Sequence, residues 1–139
     1  MKPANVSICM RTSTYKARKA CLVAGAFTYT AARSKCIDNG MFLVPIITQA
    51  ELNDFNTNVI GNLINELMSS TTNKFWINGE LIGSSWISTT TTTSTISAML
   101  NSGTGSCLQA KSGSLIISMG SYQLYQTACT TSLSAMCFF

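Results

Sequence analysis

The sequence predicts a single α+β domain, because helix signals fill its first half and strand signals fill its second. Two helical segments are expected before residue 68, and short strand candidates separated by turns follow. At 139 residues the chain has the length of one domain, and 46% apolar residues can fill one hydrophobic core. With no linker long enough to divide it, residues 1–139 are treated as one domain.

The cysteines indicate a disulfide framework and therefore an oxidising, extracellular compartment. Their number is even and their spacing is wide and irregular, which is typical of secreted proteins. A zinc site is the alternative, but the chain has no histidine and no Cys-x-x-Cys knuckle. Spacing alone does not choose among the pairings that six cysteines allow. The cysteines are Cys9, Cys21, Cys36, Cys107, Cys129 and Cys137.

Charge is sparse and unevenly distributed along the chain. Charged residues make up 10% of the sequence, against about 25% in typical proteins, so Ser and Thr supply most of the polarity. The net charge is +4, and most cations precede residue 36. This basic N-terminal section suits either an anionic surface or a solvated hairpin. Nucleic acid is not expected, and no apolar stretch approaches the ~20 residues of a membrane span.

The N-terminal half contains the clearest local signals. Residues 1–20 are predicted to form a hairpin extension, and Asn5 begins an N-glycosylation sequon. A first helix is predicted to begin after Thr28 as N-cap and to end at Gly40, with Cys36 on its buried side.

A second helix is predicted after an extended apolar stretch that Pro45 interrupts. Residues 48–51, Thr-Gln-Ala-Glu, form a capping box, which favours a helix start at this point. An apolar stripe at helical spacing follows it: Leu52, Phe55, Val59, Leu63 and Leu67.

The C-terminal half is predicted to be strands and one long loop. Residues 75–77 are predicted to form a strand that ends in a turn at Asn78 and Gly79. Residues 84–106 form a long-loop region rich in Ser, Thr and Gly, and three further strands are predicted at residues 115–117, 122–125 and 135–139. The threonine run at residues 89–93 is either a mobile polar loop, a ligand-facing surface or an O-glycosylated tract.

In this order the motifs resemble those of the C-type lectin-like domain over essentially the whole chain. The family's first-helix pattern Thr-aromatic-x-x-Ala-x-x-x-Cys matches Thr28, Tyr29, Ala32 and Cys36. Its core Trp-Ile-Gly motif is matched by residues 76–79 with Asn78 inserted. Further matches are Gly40, Leu43, Ile46, Gln49, Glu51, Phe55, Trp86, Cys107, Cys129 and Cys137. The resemblance implies a fold of two helices packed on a small antiparallel sheet with a long-loop region.

The resemblance also implies three disulfides, Cys9–Cys21, Cys36–Cys137 and Cys107–Cys129, the first of which marks the longer form of the domain. Many relatives hold calcium through a Glu-Pro-Asn or Gln-Pro-Asp triplet and a Trp-Asn-Asp motif. Here residues 124–126 are Leu-Tyr-Gln, and no Asp or Glu lies between residues 81 and 138. Calcium requires 6–8 oxygen ligands, several of them carboxylate, so no metal and no cofactor is expected in that half.

Catalysis is not expected. Without histidine the chain lacks the usual general base. A Ser–Lys dyad with Lys74 or Lys111 is the remaining alternative, and Glu51 and Asp54 are interpreted as a solvated helix face. Trp76 is predicted to be core, and Trp86 is either core or a platform beside the loop.

The sequence therefore predicts an extracellular, calcium-independent recognition module that binds a protein or glycan through the long-loop face. Alternatives are a carbohydrate-binding lectin with an atypical site, and a structural or ice-interacting protein of the same fold. Hydroxyls suit an uncharged polar ligand, because no ion is desolvated on binding. The candidate ligand-binding residues are Ser88, Thr90, Thr92, Asn101, Lys111, Tyr122 and Gln123.

Overall fold

The computed structural model describes residues 8–9, 11–62, 74–112 and 122–139. In this part of the chain, two helical segments lie against one sheet of ten strands, so the predicted α+β class is correct. The sheet is mixed rather than antiparallel, because β4 runs parallel to β10 and β7 runs parallel to β9. The strands are β1 Thr12–Tyr15, β2 Arg18–Phe27, β3 Phe42–Leu43, β4 Lys74–Ile82, β5 Ser85–Thr89, β6 Thr93–Thr95, β7 Leu100–Asn101, β8 Cys107–Ser112, β9 Tyr122–Thr127 and β10 Leu133–Phe138, and the helices are α1 Tyr29–Asp38 and α2 Gln49–Asp54.

The sheet separates two apolar clusters. Its main path runs β1-β2-β10-β4-β8-β9-β7, and β5 and β6 extend from the end of β4. Because side chains alternate along a strand, Phe75 and Ile77 of β4 enter the cluster that also contains α2 residues. Trp76 points to the opposite cluster, beneath α1, and its indole N–H donates to Phe27 O at 2.7 Å. The prediction that Trp76 is a core residue is confirmed.

Helix α1 has the predicted caps. The Thr28 side chain accepts the Ala31 N–H at 3.3 Å. At the other end Gly40 adopts a positive φ of 76°, and the N–H of Met41 donates to Cys36 O at 2.8 Å. This Schellman arrangement needs a left-handed residue at its turn, which explains the glycine.

Helix α2 begins at the predicted residue, but the backbone then changes from an α-helix to a π-helix. Thr48 Oγ1 accepts the Glu51 N–H at 3.1 Å, while Glu51 Oε1 accepts from the Ile47 N–H at 2.9 Å. Leu52, Phe55 and Val59 are buried as the stripe requires. From Phe55–Ile60 the backbone is π-helical, a change that the apolar spacing did not indicate. Leu63 and Leu67 lie outside the described residues.

The three disulfides are those that the resemblance implied. Cys36–Cys137 joins α1 to β10, Cys107–Cys129 joins the start of β8 to the chain beyond β9, and Cys9–Cys21 joins the N-terminal segment to β2. Each such bridge typically stabilises a fold by about 2–4 kcal/mol.

The N-terminal hairpin is longer than predicted, and two sequence predictions cannot be placed. Strands β1 and β2 turn at Lys16 and Ala17, both of which have positive φ, and β2 continues to Phe27. The predicted strands at residues 122–125 and 135–139 correspond to β9 and β10. The predicted strand at residues 115–117 and the sequon residue Asn5 lie outside the described residues.

Candidate ligand-binding surface

The threonine run forms a β-hairpin. Strands β5 and β6 pair with Thr89 opposite Thr93, and the Thr90 N–H donates to Thr92 O at 2.9 Å across the turn. Thr91, Thr92 and Thr93 are exposed, and Thr90 is half-buried. We call residues 85–95 the threonine hairpin. Its hydroxyls are therefore displayed on a hydrogen-bonded frame rather than on an irregular loop.

A buried asparagine attaches the threonine hairpin to the core. Asn78 Nδ2 donates to Thr89 O at 2.8 Å and to Leu43 O at 3.1 Å, and Asn78 Oδ1 accepts from Thr89 N–H at 3.0 Å. The side chain thus mimics a strand partner for Thr89. It is 4% exposed, so these bonds are shielded from water and their loss would leave buried polar groups unsatisfied.

The predicted turn at Asn78 and Gly79 is wrong, because both residues lie inside β4. Between Trp76, which faces Gln109, and Glu80, which faces Cys107, strand β4 has more residues than β8, and this irregularity turns Asn78 towards the threonine hairpin. A side chain at Gly79 would overlap that of Leu108. The Asn-Gly pair therefore serves a bulge and a close contact instead of a hairpin turn.

The remainder of the long loop is attached at both ends. Ile47 O accepts from the N–H groups of Ser97 and Ala98 at 2.8 and 2.9 Å, and the Met99 N–H donates to Gln49 Oε1 at 3.0 Å. At its far end, a Cβ atom on Gly103 or Gly105 would overlap the backbone at the end of β9. The loop is therefore held between α2 and the sheet edge.

A second group of candidate residues lies on the sheet itself. Asn101 Nδ2 donates to Gln123 Oε1 at 3.1 Å and to Leu124 O at 3.2 Å. The Tyr125 hydroxyl donates to the same Gln123 oxygen at 3.4 Å, and Lys111 Nζ lies 4.4 Å from the centre of the Tyr125 ring. These four residues are half-buried or exposed, and together they form a polar surface on β7, β8 and β9.

Two of the predicted ligand-binding residues are buried, so the prediction that they contact a ligand is wrong. Ser88 is 2% exposed, because its position on β5 points inward between two half-buried neighbours, and its hydroxyl has no hydrogen-bond partner among the described residues. Tyr122 is 4% exposed and stacks on Phe75 at 5.4 Å. Burial raises the pKa of Tyr122 to about 12. Neither side chain can contact a ligand in this conformation.

The basic N-terminal section is already engaged in contacts. Lys16 Nζ pairs with Glu51 Oε2 at 2.9 Å, and the Arg18 guanidinium lies 5.1 Å from the centre of the Phe138 ring. Lys19 Nζ donates to Thr14 Oγ1 at 3.2 Å. Since Glu51 also accepts the Ile47 N–H, it is a structural residue rather than part of a solvated face.

Among the described residues, no three His, Cys, Asp or Glu side chains come together in a group that could hold a metal ion. Glu80 lies on β4, pairs with Arg33 at 3.6 Å, and lines a shallow depression of about 180 Å³ with Tyr29. Tyr29 accepts the Gly79 N–H at 3.2 Å, and burial raises its pKa above the usual value. Trp86 is half-buried against the core.

Comparison with known proteins identifies the fold. No known protein-family profile matches the sequence, and no curated protein matches it. Human lithostathine is similar in structure, with a TM-score of 0.67 and 20% identity over 98% of this chain and 92% of that chain. A Ca²⁺-dependent type II antifreeze protein in its Ca²⁺-free form has a TM-score of 0.62 at 15% identity, covering 94% of this chain and 98% of that one.

The cow C-type carbohydrate-recognition domain of CD23, in a structure with an oligosaccharide, gives a TM-score of 0.60 at 15% identity over 94% of this chain and 95% of that chain. These structures share the three-dimensional arrangement of the C-type lectin-like domain. The described helices do not include one long and apolar enough to cross a membrane. With its three disulfides in the order of the long form, the chain has the C-type lectin-like fold.

Proposed function

We propose that this domain is an extracellular, non-catalytic recognition module that binds a protein or glycan through the threonine hairpin and the adjoining loop, without calcium. The observation that carries this proposal is the attachment of the threonine hairpin to the core by Asn78. A surface held in place before binding loses less conformational entropy when the ligand arrives, which favours affinity.

The chemistry of the hairpin supports an uncharged polar ligand. The exposed residues Thr91, Thr92 and Thr93 offer hydroxyls that donate and accept hydrogen bonds, together with methyl groups for apolar contact. Asn101 adds an amide oxygen, since its Nδ2 group is already occupied by Gln123 and Leu124. Binding at such a surface should depend weakly on salt, because few ion pairs form.

Calcium independence rests on the same surface. The hairpin and loop carry no carboxylate, and neutral oxygens alone do not offset the dehydration of a hard divalent cation. A Ca²⁺-dependent and a calcium-independent type II antifreeze protein both have this fold, so the fold does not itself determine the metal requirement.

A screen of immobilised glycans and of cell surfaces, in millimolar calcium and again with chelator, tests this function. We expect at least one ligand whose binding is unchanged by the chelator. Loss of all specific binding with chelator would contradict calcium independence, and binding that needs neither the hairpin nor the loop would contradict the proposed surface.

Ice binding is the second candidate, since a solved calcium-independent type II antifreeze protein has this fold at 15% identity and a TM-score of 0.60. The observation that favours it is the exposure of Thr93 and Thr95 on one face of β6, which gives a short regular row of hydroxyl and methyl groups. Thermal hysteresis that is lost in a Thr93→Ala/Thr95→Ala variant would support it, and an absence of hysteresis would exclude it.

A further inference from the structure

Three hydrogen-bond donors form a row across the sheet, away from the threonine hairpin. Lys74 on β4 lies opposite Lys111 on β8, and Lys111 lies opposite Gln123 on β9. Directly paired residues of antiparallel strands project from the same face, and neighbouring strands are about 4.8 Å apart. Phe75, Ala110 and Leu124, one position along each strand, are buried in the main core. The row therefore lies on the face of the sheet opposite the main core, the face from which Trp76 also projects.

The two lysines place like charges at directly opposed positions of β4 and β8. Like charges directly opposite each other on neighbouring strands are destabilising. Glu80, the acidic residue of β4, is paired with Arg33 instead, and in the described ranges neither Lys74 nor Lys111 is in ion-pair contact with a carboxylate. The sequence has no Asp or Glu between residues 81 and 138 to neutralise the pair from strands β8 to β10.

The hydrogen-bond network fixes how Gln123 contributes to the row. Its Oε1 accepts from both Asn101 Nδ2 and the Tyr125 hydroxyl, which leaves the Nε2 group to donate outward. The Tyr125 ring holds the Lys111 ammonium at 4.4 Å from its centre by a cation–π contact. Lys74 is exposed and Lys111 is half-buried, so both side chains are in part accessible to solvent.

We propose that the row of Lys74, Lys111 and Gln123 is a binding site for an acidic saccharide, separate from the surface of the proposed function. A single sulfate or carboxylate group spans the lysine pair, whose strands are about 4.8 Å apart. The Gln123 amide lies one further strand away, where it can donate to a hydroxyl of the same sugar. Acidic sugars combine an oxyanion with neutral hydroxyls on one rigid ring, and this row combines two cations with a neutral donor.

Calorimetric titration with a heparin octasaccharide at low and moderate salt tests the proposal. The unmodified protein should bind, and more weakly as salt rises. A Lys74→Gln/Lys111→Gln variant should lose at least tenfold in affinity, and the slope of log Kd against log salt should fall by about two, one for each ammonium removed. Gln123→Glu, which places a carboxylate beside Lys111, should also abolish binding while raising the melting temperature.

Arg33→Gln/Lys35→Gln removes the same charge from α1, outside both the row and the N-terminal hairpin, and is the matched control, expected to bind within about twofold of the unmodified protein. Neutral dextran should not bind, and a hyaluronan oligosaccharide shows whether a carboxylate can replace a sulfate. No binding at low salt, or equal losses in the control and row variants, would overturn the proposal. Replacing Thr90, Thr91 and Thr92 with Ala should leave heparin binding intact, so this site and the proposed function fail independently.

Discussion

Removal of Asn78 should loosen the threonine hairpin and destabilise the domain by a measurable amount. Asn78→Ala deletes three side-chain hydrogen bonds, of 2.8, 3.0 and 3.1 Å, in a place that is almost wholly buried. Each such bond contributes about 1 kcal/mol net, so the free energy of unfolding should fall by about 3 kcal/mol. The loss should concentrate at Thr89, whose N–H and C=O both lose their partner.

Two measurements check this prediction. Urea denaturation gives the change in unfolding free energy, and hydrogen exchange reports the protection of the Thr89 amide. Asn53→Ala, at an exposed position of α2, is the control and should change stability by less than about 0.5 kcal/mol. If Asn78→Ala costs no more than the control and the Thr89 amide stays protected, the hairpin does not depend on Asn78.

Asn78→Asp tests the acceptor and the donor groups of the Asn78 side chain separately. The substitution keeps an oxygen for the Thr89 N–H but directs a carboxylate towards the carbonyls of Leu43 and Thr89. Burial and these carbonyls raise the pKa of the introduced carboxyl above its unfolded value. Its destabilisation should therefore be greatest at neutral pH and diminish as the pH falls through the raised pKa. A pH-independent loss would contradict the geometry.

Three further predictions concern the whole domain. Non-reduced peptide mapping should find Cys36 joined to Cys137, and any other partner would refute the fold. Melting temperatures in millimolar calcium and in chelator should agree, whereas a calcium site at a hundredfold excess over Kd would add about 2.7 kcal/mol. Burial raises the pKa of Tyr122 to about 12 and those of Tyr15 and Tyr29 further, so the stability that these neutral phenols contribute is complete below pH 10 and is lost as the pH rises. Because three phenols ionise in the unfolded chain and not in the folded one, the unfolding free energy should fall by about 3 kcal/mol between pH 10 and pH 11, and a flat profile over that range would contradict their burial.

Local signals in the sequence predicted the start of both helices and the end of the first. The caps at Thr28, Thr48 and Gly40 depend on residues within four positions of each other, and the structure has all of them. The disulfide order followed from the family resemblance, since the spacing of cysteines carries no pairing information. These features needed no knowledge of which strands are neighbours.

The functional surface depended on long-range pairing, and there the sequence was insufficient. Asn-Gly usually signals a turn, but pairing with β8 and β5 holds Asn78 and Gly79 inside a strand. Ser88 and Tyr122 were wrongly predicted to lie on the surface. A shift of one residue along a strand moves a side chain to the opposite face of the sheet, and no local signal in the sequence shows which residues face inward. The row of Lys74, Lys111 and Gln123 joins three strands and is visible only once the sheet is known.

The most direct test of the central claim compares two variants with the ligand that the glycan and cell-surface screen yields. One replaces Thr90, Thr91 and Thr92 with Ala, and the other replaces Arg11, Arg18 and Lys19 with Gln. Recognition through the threonine hairpin predicts that the first loses at least tenfold in affinity, while the second binds normally and with little dependence on salt. Normal binding by the first, together with a salt-sensitive loss in the second, would show that the basic hairpin is the functional surface instead.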